Sequence, residues 1–209
     1  MPIVEYALLA GGSLFSIINP IAAVPAFLAM TPHHGTRDRL RMARRACFTC
    51  AGVLVAFAAV GQRIFQVFGI TFPSFQIAGG LILLLVSLDS LRAKRSAVQE
   101  TAEETVEGIT KQDISITPLA VPMLSGPGAI TTAIVMQAKA HTLVENIVLY
   151  LVILTVSAMS YMVFHVAVTG ARRISPIAMN ITTRLMGLML AATAIEFMLG
   201  GLRMEGFLK

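Results

Sequence analysis

Apolar residues fill this chain in long stretches separated by short polar segments. Six stretches reach the roughly 20 residues that cross a hydrocarbon core of about 30 Å. They are Ile3–Met30, Ala46–Phe68, Phe72–Leu91, Ile114–Ala138, Ile147–Val168 and Leu185–Leu202. The pattern predicts an all-α membrane protein: one polytopic domain of six transmembrane helices, with no soluble module.

Two of the six stretches carry the same interruption. Asn19-Pro20 breaks the first and Gly126-Pro127 breaks the fourth. A capping residue followed by proline starts a helix well, because proline lacks only an N–H that the first turn leaves unpaired. Inside hydrocarbon such a restart leaves backbone donors pointing inward, here the N–H groups of Ile21 and Ala22 and of Gly128 and Ala129. Several transporters hold a carboxylate in this way at mid-membrane. Asn19, Ser125, Thr131 and Thr132 add side-chain hydrogen-bonding groups. Ala22, Ala23, Gly128 and Ala129 are small enough to leave room for a ligand. The candidate substrate-binding residues are therefore Asn19, Pro20, Ala22, Pro25, Ser125, Gly126, Pro127, Gly128, Thr131 and Thr132. The competing structural reading is a pair of ordinary proline kinks, which membrane helices tolerate.

The two prolines stand 107 residues apart, and the same offset aligns Ala22 with Ala129, Phe57 with Phe164 and Gly80 with Gly187. It also sets acidic Asp89 opposite acidic Glu196. Three crossings per half is an odd number, so the halves are expected to be inverted repeats, spanning 1–93 and 114–209. The segment 94–113 between them holds Glu100, Glu103, Glu104 and Glu107 and reads as a solvated cytoplasmic linker.

Composition strengthens the membrane assignment. The chain is 56% hydrophobic and 13% charged, with a mean hydropathy of +0.79, whereas a soluble domain carries about 25% charge. The net charge of +5 would point to nucleic acid in a soluble protein; here it marks the cytoplasmic face, and no nucleic-acid partner is expected. With six simple crossings, the loops holding Arg37 to Arg45, Arg92 to Lys111, and Arg172 to Arg184 share one side. The other side keeps only Arg63, Lys139, Arg203 and Lys209. The termini would then lie outside the cytoplasm, on the periplasmic side, and Met1–Glu5 lacks the basic start of a cleaved signal peptide. If the first and fourth stretches are instead re-entrant hairpins, the bases divide as unevenly, so charge leaves both arrangements open. Depth keeps the question alive, since Asn19 lies about 24 Å along a continuous helix from Ile3, past the midplane.

Asp89 and Glu196 are the acids expected within spans. Such groups are expensive in a membrane and serve as ion-coupling or gating candidates, the alternative being a cap or an interhelical hydrogen bond. His165 has the same two readings, a proton relay or a packed neutral ring. Cys47 and Cys50 form C-x-x-C, but two cysteines alone do not complete a usual zinc site. Neither a metal nor a cofactor is expected. The sequence has no phosphate-binding G-x-x-x-x-G-K-[ST] and no H-E-x-x-H, and an enzyme is not the expected reading.

The segments Asn19-Pro-Ile-Ala-Ala-Val-Pro25, Phe27-Leu-Ala-Met-Thr31, Gly79-Gly80 with Asp89, Gly126-Pro-Gly-Ala-Ile-Thr-Thr132 and Arg184-Leu-Met-Gly-Leu-Met-Leu-Ala191 resemble the MarC family of bacterial inner-membrane proteins. The resemblance spans nearly the whole chain and implies six transmembrane helices in the cytoplasmic membrane. Some members are described as neutral amino acid transporters. The expected function is thus a secondary transporter or exporter of small neutral solutes, neutral amino acids first, working by alternating access in the lipid bilayer, with homo-oligomerisation open. The alternative is a non-transporting family member acting as a scaffold or stress-linked partner.

Overall fold

A computed structural model describes residues 2–31, 33–92, 113–170 and 176–207. The expected linker, apart from Asp113, lies outside the described residues. The elements are α1 (Ile3–Ile18), α2 (Pro20–Met30), α3 (Thr36–Phe68), α4 (Phe72–Leu91), the irregular α5 (Ser115–Leu124), α6 (Pro127–Lys139), α7 (Leu143–Thr169) and α8 (Pro176–Met204). Among the described residues five apolar segments are long enough to cross a membrane, with α1 and most of α2 counting as the single stretch Ile3–Leu28. The pair α5 and α6, bent by 60°, makes a sixth if it is one span.

Helix boundaries depart from the apolar stretches where polar residues extend a helix. The second stretch begins as a helix at Thr36 rather than Ala46, because Met42, Ala43 and Ala46 face inward while Arg41, Arg44 and Arg45 face out. At 33 residues α3 is about 50 Å long, so its arginine-bearing turns reach beyond the hydrocarbon. The fifth helix starts at Leu143 rather than Ile147 because Thr142 and Glu145 form a capping box. The Thr142 hydroxyl accepts from the Glu145 amide at 3.2 Å, and the Glu145 carboxylate accepts from the His141 and Thr142 amides at 2.7 and 3.0 Å.

The fourth stretch is the least regular. Thr117 and Val121, each preceding a proline, take extended backbone angles, as expected where the proline ring crowds its predecessor out of the α region. The chain keeps its backbone groups paired by wider turns: Leu119 N–H donates to Ile114 O at 3.1 Å and Ser125 N–H to Ala120 O at 2.8 Å.

The polarity of the molecule is reversed relative to a soluble protein. Large apolar residues such as Val4, Leu8, Phe48, Leu151, Met162 and Leu188 lie on the outside, the surface a bilayer would cover. Ser87, Ser125, Thr131, Thr132 and Ser160 are buried. Their hydroxyls are satisfied locally, as where Ser160 donates to Val156 O at 2.9 Å. The core is nonetheless aliphatic and aromatic, with Phe27 and Phe164 meeting edge to face, 5.1 Å between ring centres.

In lipid, helices gain little from burying apolar area against one another, so close approach of backbones matters more. The most extensive helix pair, α4 with α8, shows this at both ends. A Cβ on Gly80 would stand 2.8 Å from the Ala194 carbonyl oxygen, and one on Gly187 would stand 2.9 Å from the Leu91 nitrogen. Both obstacles are backbone and do not yield. Gly80→Val and Gly187→Val are each expected to destabilise by at least about 1–3 kcal/mol, the usual penalty for overpacking. Gly12→Ala, at a position with nothing within 4 Å, should leave stability unchanged or slightly raised. Thermal unfolding of the three variants in detergent measures the difference.

Candidate functional site

Asn19 separates α1 from α2 by adopting the left-handed conformation (φ 42°, ψ 60°), the one non-glycine positive φ among the described residues. Asparagine tolerates this region because its short amide can bond locally. Here it does so: Asn19 Oδ1 accepts from the Ala22 N–H at 3.3 Å, and the Asn19 carbonyl accepts from Ala23 N–H at 3.3 Å. The expectation that the Ala22 amide stands free for a ligand is therefore corrected; Asn19 itself consumes that donor.

The start of α6 is built differently. Gly126 is extended (φ −72°, ψ 176°) and offers no side-chain cap. Its carbonyl takes the Ile130 N–H at 3.1 Å, and Pro127 has no N–H to place. The amides of Gly128 and Ala129 find no acceptor among the described residues, although both residues are buried. A helix N-terminus left bare inside a protein carries unpaired donors together with the positive end of the helix dipole.

The two breaks are neighbours. Helix α1 runs antiparallel to α6. The Tyr6 hydroxyl donates to Met136 O at 2.9 Å near one end of the contact. Near the other end Ile17, two residues before Asn19, packs on Gly128. A Cβ at Gly128 would come within 2.8 Å of Leu83 Cδ2 and 3.1 Å of Ile17 Cδ1. The space expected beside Gly128 is thus taken by those two side chains. Gly79 on α4 serves the same end, since the Thr131 methyl occupies the place of its missing Cβ.

Other candidates sort by burial and bonding. The hydroxyls of Thr131 and Thr132 donate to Pro127 O and Gly128 O at 2.9 Å, and that of Ser125 to Ala120 O at 2.8 Å. These hydroxyls are committed as donors and keep only acceptor capacity for a ligand. Pro20 is buried, Ala22 half-buried, and Pro25 and Pro127 are exposed.

Asp89 is half-buried near the end of α4, while Glu196 is exposed and pairs with Arg203 at 3.3 Å. The sequence had placed Glu196 as an acid enclosed within a span; on α8 it faces outward instead. Gly80 packs level with Ala194 and Met198, so Glu196 lies beside Gly80, and Asp89 sits about 13 Å further along α4. The fold does not bring the two acids together. His165 is exposed, its ring 6.0 Å from that of Tyr161. Cys47 and Cys50 are buried and unbridged.

One residue escaped the sequence reading. Gln76 on α4 is 1% exposed and its Oε1 has no hydrogen-bond partner among the described residues, one turn before the Gly79–Thr131 contact. Its signal in the sequence is a lone amide early in the apolar third stretch.

Comparison with known proteins agrees with this architecture. A family model described as MarC family integral membrane protein matches residues 4–205. A UPF0056 membrane protein of Methanocaldococcus jannaschii is 36% identical over 200 residues, covering 95% of this chain and 97% of its own. The UPF0056 membrane protein YvbG of Bacillus subtilis is 34% identical, covering 91% of each chain. YhcE of Escherichia coli, another UPF0056 membrane protein, is 30% identical over 91% of this chain and 88% of its own. No solved structure matches. From the whole-length match and these relatives, the chain belongs to the MarC family of integral membrane proteins.

Proposed function

We propose that the protein is a secondary transporter of small neutral solutes, neutral amino acids foremost, with the substrate carboxylate held at the start of α6. The observation that carries this reading is the pair of buried amides at Gly128 and Ala129, which have no acceptor among the described residues. Their donors and the helix dipole suit a carboxylate, and the lack of a fixed cation beside them among the described residues suits a solute with no net charge. Asn19, held in place by its own cap, and the acceptor lone pairs of Ser125, Thr131 and Thr132 would complete the polar surround.

The transport cycle would be a rocking of two inverted repeats about the adjoining breaks. Support comes from the contact between α4 and α8. The 107-residue offset carries Gly80 to Gly187 and Leu91 to Met198, and the contacts follow it: Gly80 meets Met198 and Gly187 meets Leu91. A contact that maps onto itself is what a pseudo-two-fold axis in the membrane plane produces. That axis would pass roughly level with residues 85 and 192, leaving Asp89 and Glu196 about 6 Å to either side of it. In this arrangement the acids act as counterparts on opposite sides of the midplane, one for each gate, and not as a shared ion site.

The packing of Leu83 and Ile17 on Gly128 favours the alternative reading, a non-transporting membrane protein whose breaks are structural. Ligand chemistry separates the two readings without altering the protein. Small neutral amino acids are expected to raise the thermal unfolding midpoint of the purified protein, and their carboxamides, which lack the carboxylate, are not. If amino acids and carboxamides shift it equally, or neither does, the carboxylate site is wrong.

A variant tests the donors themselves. Ala129→Pro deletes one N–H at a first-turn position where no helical hydrogen bond is lost. It should weaken amino acid binding about tenfold or more, the equivalent of one hydrogen bond to a charged group at about 1.5–3 kcal/mol. Uptake into proteoliposomes should fall accordingly while helix content by circular dichroism stays the same. Unchanged uptake in a folded Ala129→Pro variant would remove that amide from the site.

A further inference from the structure

The arginine-rich end of α3 carries a feature unrelated to the breaks. Between α3 and α7 lies a cavity of about 300 Å³, walled by Cys47, Phe48 and Ala51 on one side and by Leu154, Ala158 and Tyr161 on the other. Arg44 and Ser157 also line it. The volume holds on the order of ten groups the size of a water molecule at about 30 Å³ each. The wall residues from Arg44 to Ala51 cover about 10 Å along the helix axis. Phe48 is 70% and Leu154 49% exposed, so the slot opens sideways, toward the surface the bilayer would cover.

A second cavity, about 470 Å³, shares Arg44 and Phe48 but turns to the other flank of α3, where Arg45, Thr49, Asp113 and Ser115 line it. Its charges are unequal in availability. Arg45 is held by Asp113 at 2.8 Å, and the Ser115 amide also donates to Asp113, at 2.9 Å. Partial burial pushes the Asp113 carboxyl up, but the Ser115 and Arg45 contacts outweigh it and hold the carboxyl below its usual range. Asp113 is therefore an anion at neutral pH and stays matched to Arg45. Arg44 is exposed and has no ion pair among the described residues.

We propose that this end of α3 binds one glycerophospholipid, its phosphate on Arg44 and one acyl chain in the slot between α3 and α7. The polar recess receives the glycerol and headgroup, where Thr49, Asp113 and Ser115 offer hydrogen-bonding groups. A soluble anion would use Arg44 and leave the apolar slot unfilled. A hydrocarbon alone would fill the slot and leave the guanidinium unmatched. A phospholipid does both, and a cationic pocket at the end of a span is where such headgroups are met. Because a chain in the slot exchanges one apolar environment for another, the slot adds shape more than energy, and residence depends on Arg44.

Native mass spectrometry of the full chain, exchanged into detergent micelles doped with phosphatidylglycerol or with a diacylglycerol of the same chains, tests this. The unaltered protein should retain one phosphatidylglycerol and release the diacylglycerol. Arg44→Ala should lower retention about tenfold or more, as loss of one hydrogen bond to a charged group predicts. Ala158→Phe, at an exposed wall position, should lower it by filling the slot while Arg44 is intact. Arg41→Ala, on the same helix but outside both cavities, should change nothing, and millimolar inorganic phosphate should not displace the lipid. Equal retention of the two lipids, or retention unchanged in both Arg44→Ala and Ala158→Phe, would overturn the proposal. Displacement by inorganic phosphate would overturn the acyl half of it. None of these outcomes depends on whether the protein transports a solute.

Discussion

A backbone inside hydrocarbon has no water to bond to, so every N–H and C=O must find a partner within the protein or hold a ligand. The course of this chain follows from how it meets that demand at each interruption. Asn19 turns left-handed and caps α2 with its own side chain. In α5 the two prolines force extended residues, and the turns widen so that the donors still reach carbonyls. Thr142 and Glu145 close the start of α7 between them. At the start of α2 the cap leaves only the half-buried Ile21 amide without an acceptor among the described residues. At α6, by contrast, glycine at the cap and proline at the first helical position supply no side chain for the amides of two buried residues, Gly128 and Ala129. The rest of the proposed chemistry descends from that one deficit.

Packing depends on the same economy of groups. Helices in a bilayer are held together by close contact, and close contact requires small residues where axes approach. Gly80 and Gly187 let α4 and α8 meet backbone to backbone, and Gly79 and Gly128 admit Thr131 and Leu83. The serines and threonines that line these contacts bond back to their own helices, as Thr132 does to Gly128 O. They can therefore be buried without demanding partners elsewhere. Glycines and hydroxyls that in isolation look like a binding site thus also serve packing, and only the donor count at α6 separates the two roles.

Much of the helical layout was legible because hydropathy reports what the surrounding solvent must be. The restart at Pro20 and Pro127 could be read from cap-plus-proline chemistry, and both prolines open helices. The arginine-bearing turns of α3 were missed because a stretch defined by hydropathy ends where charge begins, although the helix does not. The Thr142–Glu145 box stands in the sequence two to five residues before the apolar run at Ile147 and sets the true start of α7. The availability of particular donors was not legible. Whether Ala22 N–H is free depends on the rotamer and backbone of Asn19, and whether Thr131 and Thr132 face a ligand depends on their choice of Pro127 O and Gly128 O. The outward position of Glu196 follows from the register in which α8 meets α4, which the spacing of acids along one helix does not contain.

The central claim, that the α6 amides are held open for a carboxylate, is tested most directly by observing those amides. In protein labelled with ¹⁵N and assigned by NMR in detergent, titration with a small neutral amino acid should move the Gly128 and Ala129 amide protons downfield, saturably and with one dissociation constant. The Ala22 amide, already bonded to Asn19, should move little. If Gly128 and Ala129 stay unshifted at amino acid concentrations that saturate uptake, the carboxylate is not held there and the account of the site is wrong.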